Sequence, residues 1–189
     1  MSISREQAHN LLCEWVSSES LRRHMYAVEA AMRFYAKKYN GDEELWGITG
    51  LLHDFDYEKF PVPDPITKTG HPFEGVKYLQ EHSYPPELIE AILGHALYSG
   101  VPRTSQMAKA LFACDELCGF VVACGHMRPD NLETLEASSV NKKLKNKNFA
   151  AKVSREDIAL GIQEIGIEQN DHIANVILAL HPISTDLGF

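Results

Sequence analysis

The sequence predicts an all-α protein, a single-domain helical bundle spanning residues 1–189. Three observations carry that expectation. Apolar residues recur at spacings of three and four along most of the chain, with little of the alternation that marks strands. Helix-starting residues stand ahead of those runs, and Asn, Gly or Pro stand behind them. No internal repeat, low-complexity tract or linker divides the 189 residues, a length suited to one sizeable core.

The elements follow in order. Ser4 and Gln7 form a capping box that opens a helix through about Val16. Ser18 or Ser20 caps a longer helix that stops at Asn40–Gly41, with Leu21, Met25, Val28, Met32 and Tyr35 as its apolar stripe. His24, three residues after Leu21 and four before Val28, faces inward with them. Asp42 starts the helix that runs into Gly50–Leu51–Leu52–His53–Asp54. The proline-punctuated stretch Phe60–Pro65 cannot be regular structure. Gly70–His71–Pro72 opens the next helix, with Pro72 at its first position and His71 at the cap. Pro85–Pro86 opens another, whose Leu88, Ile92 and His95 share a face and which ends by Ser99–Pro102. From Thr104 to about Gly125 the chain is apolar on nearly every side, so this helix is expected in the middle of the domain. Its only charged residues are Lys109, Asp115 and Glu116. After a break at Arg128–Pro129 comes a polar, basic segment, Asn141–Asn148. Ser154 with Asp157 caps a helix to about Ile165, and a last helix runs from about Asn170 to Leu180.

A net charge of −8 argues against a nucleic-acid polymer as partner. No basic-then-apolar signal pattern opens the chain, and no apolar run approaches the roughly 18 residues needed to span a bilayer. The cysteines Cys13, Cys114, Cys118 and Cys124 form no CxxC and read as free thiols. A reducing cytoplasm with no membrane contact is the expected setting.

The His53–Asp54 pair is where chemistry enters. A neutral imidazole beside a carboxylate suits borderline divalent ions. Neighbours on a helix point about 100° apart, so other helices must supply the remaining ligands. Asp115 is the most telling candidate. A carboxylate in an apolar helix costs several kcal/mol unless it is paired or on a cation, and no lysine or arginine lies within two turns on its face. His24, His71 and His95 complete a set of inward-facing or element-terminal donors.

The order His24, His53–Asp54, Asp115 resembles the H…HD…D signature of the HD-domain metal-dependent phosphohydrolases. Gly70–His71–Pro72–Phe73–Glu74–Gly75 is similar to the HPxxG stretch of the HDIG and HD-GYP branches, and His95 to the histidine that follows it there. The resemblance covers roughly residues 20–120, with C-terminal helices over 130–181 packed on that core. It implies an all-helical bundle in which His24, His53, Asp54 and Asp115 hold one divalent ion. It also implies that His71 and His95 hold a second, with Asp54 bridging. The expected cofactor is one or two divalent transition ions such as Mn, Fe, Zn, Co or Ni, in a mono- or dinuclear site. Two departures stand out: Tyr57 takes the place of the motif lysine, and Ala96–Leu97–Tyr98 stands where a GYP tripeptide would follow His95. The second weighs against a cyclic-di-GMP phosphodiesterase.

Two ions sharing a carboxylate would acidify a water and take up charge on phosphoryl oxygens, so the expected activity is hydrolysis of a nucleotide or small phosphorylated metabolite. Arg23, Arg128, and Lys142, Lys143, Lys145 and Lys147 are the candidate cations for the phosphate, the lysines on a loop that would reach over it as a lid. Asp54 is the catalytic carboxylate, and Asp56 or Glu58 a candidate proton donor. The same donors would serve a di-iron oxygenase, or a non-catalytic nucleotide-binding HD module.

Overall fold

The computed structural model describes residues 3–189. Among them nine α-helices follow one another: α1 (Arg5–Trp15), α2 (Glu19–Tyr39), α3 (Glu43–Leu52), α4 (Phe73–Glu81), α5 (Pro86–His95), α6 (Gln106–His126), α7 (Ala137–Leu144), α8 (Arg155–Ile165) and α9 (Gln169–Leu180). Short 3-10 turns occupy Leu97–Ser99 and His181–Ile183. An isolated antiparallel bridge between Asp64 and Thr69 closes the proline-rich loop on itself.

Local chemistry explains most of the boundaries. Ser4 and Gln7 bond each other's backbone in a complete capping box, and the side chains of Ser18, Asp42, Ser105 and Ser154 each accept from an N–H of the first turn. Asn40 ends α2 in the left-handed region at φ 54°. Two expectations need correction. Pro72 is itself the cap residue of α4, which begins at Phe73, and the cap has no side-chain hydrogen bond. His71 therefore lies one position before the cap and its ring is free for other work. The basic segment after Asn141 is not all loop, because α7 continues to Leu144 and carries Lys142 and Lys143 in its last turn.

The helix α6 runs through the centre, touching α2, α5, α8 and α9. Its Leu111, Cys114, Leu117, Cys118, Phe120 and Val121 are fully enclosed. All four cysteines are free thiols. The apolar interior forms two clusters. The larger joins α2, α6, α8 and α9 around Tyr35, Leu117, Phe120 and Val176. The smaller gathers Leu12, Leu51, Leu52, Phe55, Leu79 and Leu88 from α1, α3, α4, α5 and the turn after α3. Each such side chain removed from water contributes roughly 1.5–3 kcal/mol.

Helices α2 and α5 contribute to both clusters, through Met25 and Val28, and through Ile92 and Ala91. Helix α3 lies tight against α2 because residue 50 is glycine. A Cβ there would stand 2.9 Å from the Val28 carbonyl oxygen. That close approach sets the C-terminal end of α3 beside the N-terminal half of α2, where His24 lies. No helix among the described residues is long and apolar enough to cross a membrane.

Candidate metal centre

Five elements deliver six donors. His24 comes from α2, His53 caps α3 and Asp54 follows it, His71 closes the loop before α4, His95 is the last residue of α5, and Asp115 sits midway along α6. They form two groups of three, His24 with His53 and Asp115, and Asp54 with His71 and His95. In the first, His24 Nε2 lies 3.3 Å from His53 Nε2 and 3.0 Å from Asp115 Oδ1, and His53 Nε2 is 3.4 Å from the same oxygen. In the second, Asp54 Oδ1 is 3.2 Å from both His71 Nε2 and His95 Nε2, and the two nitrogens are 3.2 Å apart. Asp54 Oδ1 also lies 3.6 Å from His53 Nε2, so it stands between the groups.

These triangles test the donors against a metal. Ligand atoms about 2.0–2.2 Å from a common ion stand roughly 3–3.5 Å from one another, the spacing found here. The tautomers point the same way. His53 Nδ1 donates to the Gly50 carbonyl at 2.7 Å, His95 Nδ1 to the Ile92 carbonyl, and His71 Nδ1 to Asp56 Oδ1 at 2.7 Å. Each neutral ring then turns an unprotonated Nε2 toward its neighbours, a convergence of lone pairs that only positive charge between them relieves. The residues fit a divalent ion.

Electrostatics agree. Burial works against charging His53, but Asp54 and Asp115 outweigh it and hold the ring up at about 9. Burial opposes ionisation of Asp54 and Asp115 too, yet the surrounding imidazoles hold both carboxyls well below the usual range. Without metal, the cluster takes its positive charge as protons.

Compared with known protein families, the chain matches the HD domain over residues 21–118, just over half of its 189 residues and the span that contains all six donors. The chain belongs to the HD domain family. Comparison with curated proteins and with solved structures gave no match.

Around this HD centre the other expected site residues sort differently. Asp56 is not placed to give up a proton. It is 1% exposed, with one oxygen engaged by His71 and the other accepting from the Gly75 N–H at 2.7 Å. It orients a ring instead, and Gly75 is glycine because a Cβ would meet the Asp56 carboxyl carbon at 2.8 Å. Glu58 is also otherwise occupied, accepting from the backbone of Ser17 and Ser18 at 3.0 and 2.9 Å. Arg23 pairs with Glu19. Arg128 follows the C-terminal end of α6, about 20 Å from Asp115 at 1.5 Å per residue, and is held by Asp130 and Thr134. With Lys142 and Lys143 it lines a separate cavity of about 500 Å³. Lys145 borders another with Asn141 and Arg155. No cation of this set pairs with a donor carboxylate, and the lysines form no lid over them.

Sequence reasoning passed over three residues beside the centre. Tyr98 donates to the His71 carbonyl at 3.0 Å, and Tyr57 sets its ring edge-on to His71 with centroids 5.3 Å apart. Glu116, beside Asp115, accepts from the Ser154 N–H, and burial together with the Asp115 charge raises its carboxyl to about 7. A tyrosine in the motif lysine's place was the one available signal. The remaining histidines join neither group: His172, for instance, is a core residue between Tyr35 and the Ala113 carbonyl.

Proposed function

We propose that the protein is a metal-dependent phosphohydrolase acting on a phosphorylated small molecule, a nucleotide or metabolite, and that residues 1–189 work as one HD-type domain. The observation that carries this reading is the pair of donor triangles with Asp54 between them. In it, His24, His53 and Asp115 would hold one divalent ion, His71 and His95 would hold a second, and Asp54 would be available to both. When bound, the ions supply Lewis acidity that polarises phosphoryl oxygens and activates water.

The chain's own residues set that chemistry up. Backbone carbonyls of Gly50 and Ile92 fix the tautomers of His53 and His95, so their Nε2 atoms need no reorganisation before they act. Asp56 does the same for His71 through a carboxylate, which makes that ring the more electron-rich ligand. Asp54 and Asp115 bring two negative charges to the centre, enough to retain divalent ions near neutral pH. The donor types also suit iron, and a di-iron oxygenase is the second reading. It rests on the donor set itself, imidazoles and carboxylates in two groups of three, which serves iron as well as manganese.

The test is phosphate release from a panel of nucleotides and sugar phosphates by protein loaded in turn with Mn, Fe, Zn, Co and Ni. Activity is expected with at least one ion and is expected to vanish in His53→Ala and Asp54→Ala. Full phosphatase activity in both folded variants rules out hydrolysis at this centre. A di-iron spectrum with no phosphate release on any substrate shifts the reading to the oxygenase.

A further inference from the structure

The large apolar side chains left in water are not spread evenly along the chain. Among the described residues, eight such side chains are exposed, and six of them, Tyr57, Phe60, Val62, Ile66, Leu97 and Tyr98, lie on two segments. One segment joins the His53–Asp54 pair to His71, and the other follows His95. Singly exposed apolar residues call for no explanation, but several on the two segments that flank a polar centre make those segments candidates for a contact surface.

Two of the six touch the centre itself. Tyr57 packs edge-on against His71 with 45% of the residue exposed. Tyr98 is anchored through its hydroxyl to the His71 carbonyl, with 41% of the residue open to solvent. The cations nearest to them in sequence are turned to other tasks. The Lys59 ammonium sits over the Trp15 ring at 4.3 Å, and the Arg103 guanidinium is bonded to Glu164 and the Gly94 carbonyl. Beside the donors, then, stand tyrosine rings where a cationic phosphate grip would be expected.

We propose that Tyr57 and Tyr98 are specificity residues, and that the substrate is a phosphate monoester whose organic part is an aromatic ring packed against them. The inference rests on the phosphohydrolase reading. The ions neutralise the phosphate, which frees the surrounding side chains to recognise the rest of the molecule. Aromatic contact supplies that recognition through edge-to-face or offset stacking. Tyr57 is already packed on the His71 ring and Tyr98 already bonded to its carbonyl, so binding orders little that is not ordered beforehand.

The experiment uses the full chain loaded with the metal that supports binding or turnover. Calorimetry compares phenylphosphonate with methylphosphonate, and initial rates compare 2-phenylethyl phosphate with ethyl phosphate, a pair whose leaving alcohols are alike. The phenyl member of each pair is expected to be favoured about tenfold, the scale of two aromatic contacts. The preference is expected to shrink to less than about threefold in Tyr57→Ala and Tyr98→Ala and to persist in Tyr98→Phe, which keeps the ring. Thermal melts confirm that the variants fold. A phenyl preference in binding without hydrolysis of either ester upholds the aromatic site and removes the hydrolase. Equal binding and equal kcat/KM within both pairs overturns the aromatic site and leaves the hydrolase standing. A preference undiminished in both alanine variants overturns it as well.

Discussion

Asp56 is the residue on which the second donor group turns. Its buried carboxylate receives one N–H from His71 and one from the Gly75 backbone. In Asp56→Asn the shape survives, but one amide end would turn an NH2 toward a donor. The His71 ring would lose its orientation or its electron richness. Binding at that group is expected to weaken about 10- to 100-fold, while His24, His53 and Asp115 keep theirs. Titration with a metal-sensitive dye, resolving two binding steps, measures it. Equal weakening of both steps would mean that Asp56 merely supports the fold. The six donors were legible in the sequence because histidine and aspartate on inward faces are costly without a task. The role of Asp56 was not, since it depends on a ring fifteen positions away. Arg128 and Lys142 misled because charge can be read from sequence while distance from a site cannot.

At the scale of elements, helix contacts set the spacing between donors. Gly50 lets α3 lie on the α2 backbone, and a methyl there would stand 2.9 Å from the Val28 oxygen and 3.0 Å from the Glu29 nitrogen. Neither is the movable end of a side chain. Gly50→Ala is therefore expected to cost about 1–3 kcal/mol of stability and to draw His53 away from His24. Urea unfolding checks the first effect, and weaker metal binding at the first group checks the second. Caps made most boundaries readable, since Ser4, Ser18, Asp42 and Ser154 satisfy first-turn N–H groups by local chemistry alone. The helix α7 escaped notice because Val140 is its one buried residue, too little to set a period against its lysines. The start of α4 was misplaced by one residue because proline fits a cap as readily as a first turn.

For the molecule as a whole, a centre of this kind is expected to make stability depend on metal and on pH. Held at about 9, above its ordinary value of 6.5, His53 stabilises the metal-free fold below pH 6.5, and that stability is lost as the pH rises through 9. Metal competes for the same lone pair, so loss of protons there favours the ion. Ion at 100 times its Kd stabilises by about 2.7 kcal/mol, which for this length raises Tm by roughly 5–10 °C. Addition of a chelator is expected to lower Tm by that amount, and by more at pH 9 than at pH 6.5. Differential scanning fluorimetry reads both, and a chelator effect that is larger at pH 6.5 would contradict the linkage. The all-α architecture was readable throughout because helical periodicity and helix-end chemistry agreed along the chain. The two-triangle arrangement was not, because its coherence arises only when α2, α3, α5 and α6 pack.

Elemental analysis of metal per chain, made after loading with excess ion and desalting, tests the centre most directly. Two ions are expected in the wild-type chain, and one each in His24→Ala and His95→Ala, which lose different groups. The same metal content in all three proteins, or none in any of them, would contradict a dinuclear centre built from these six side chains.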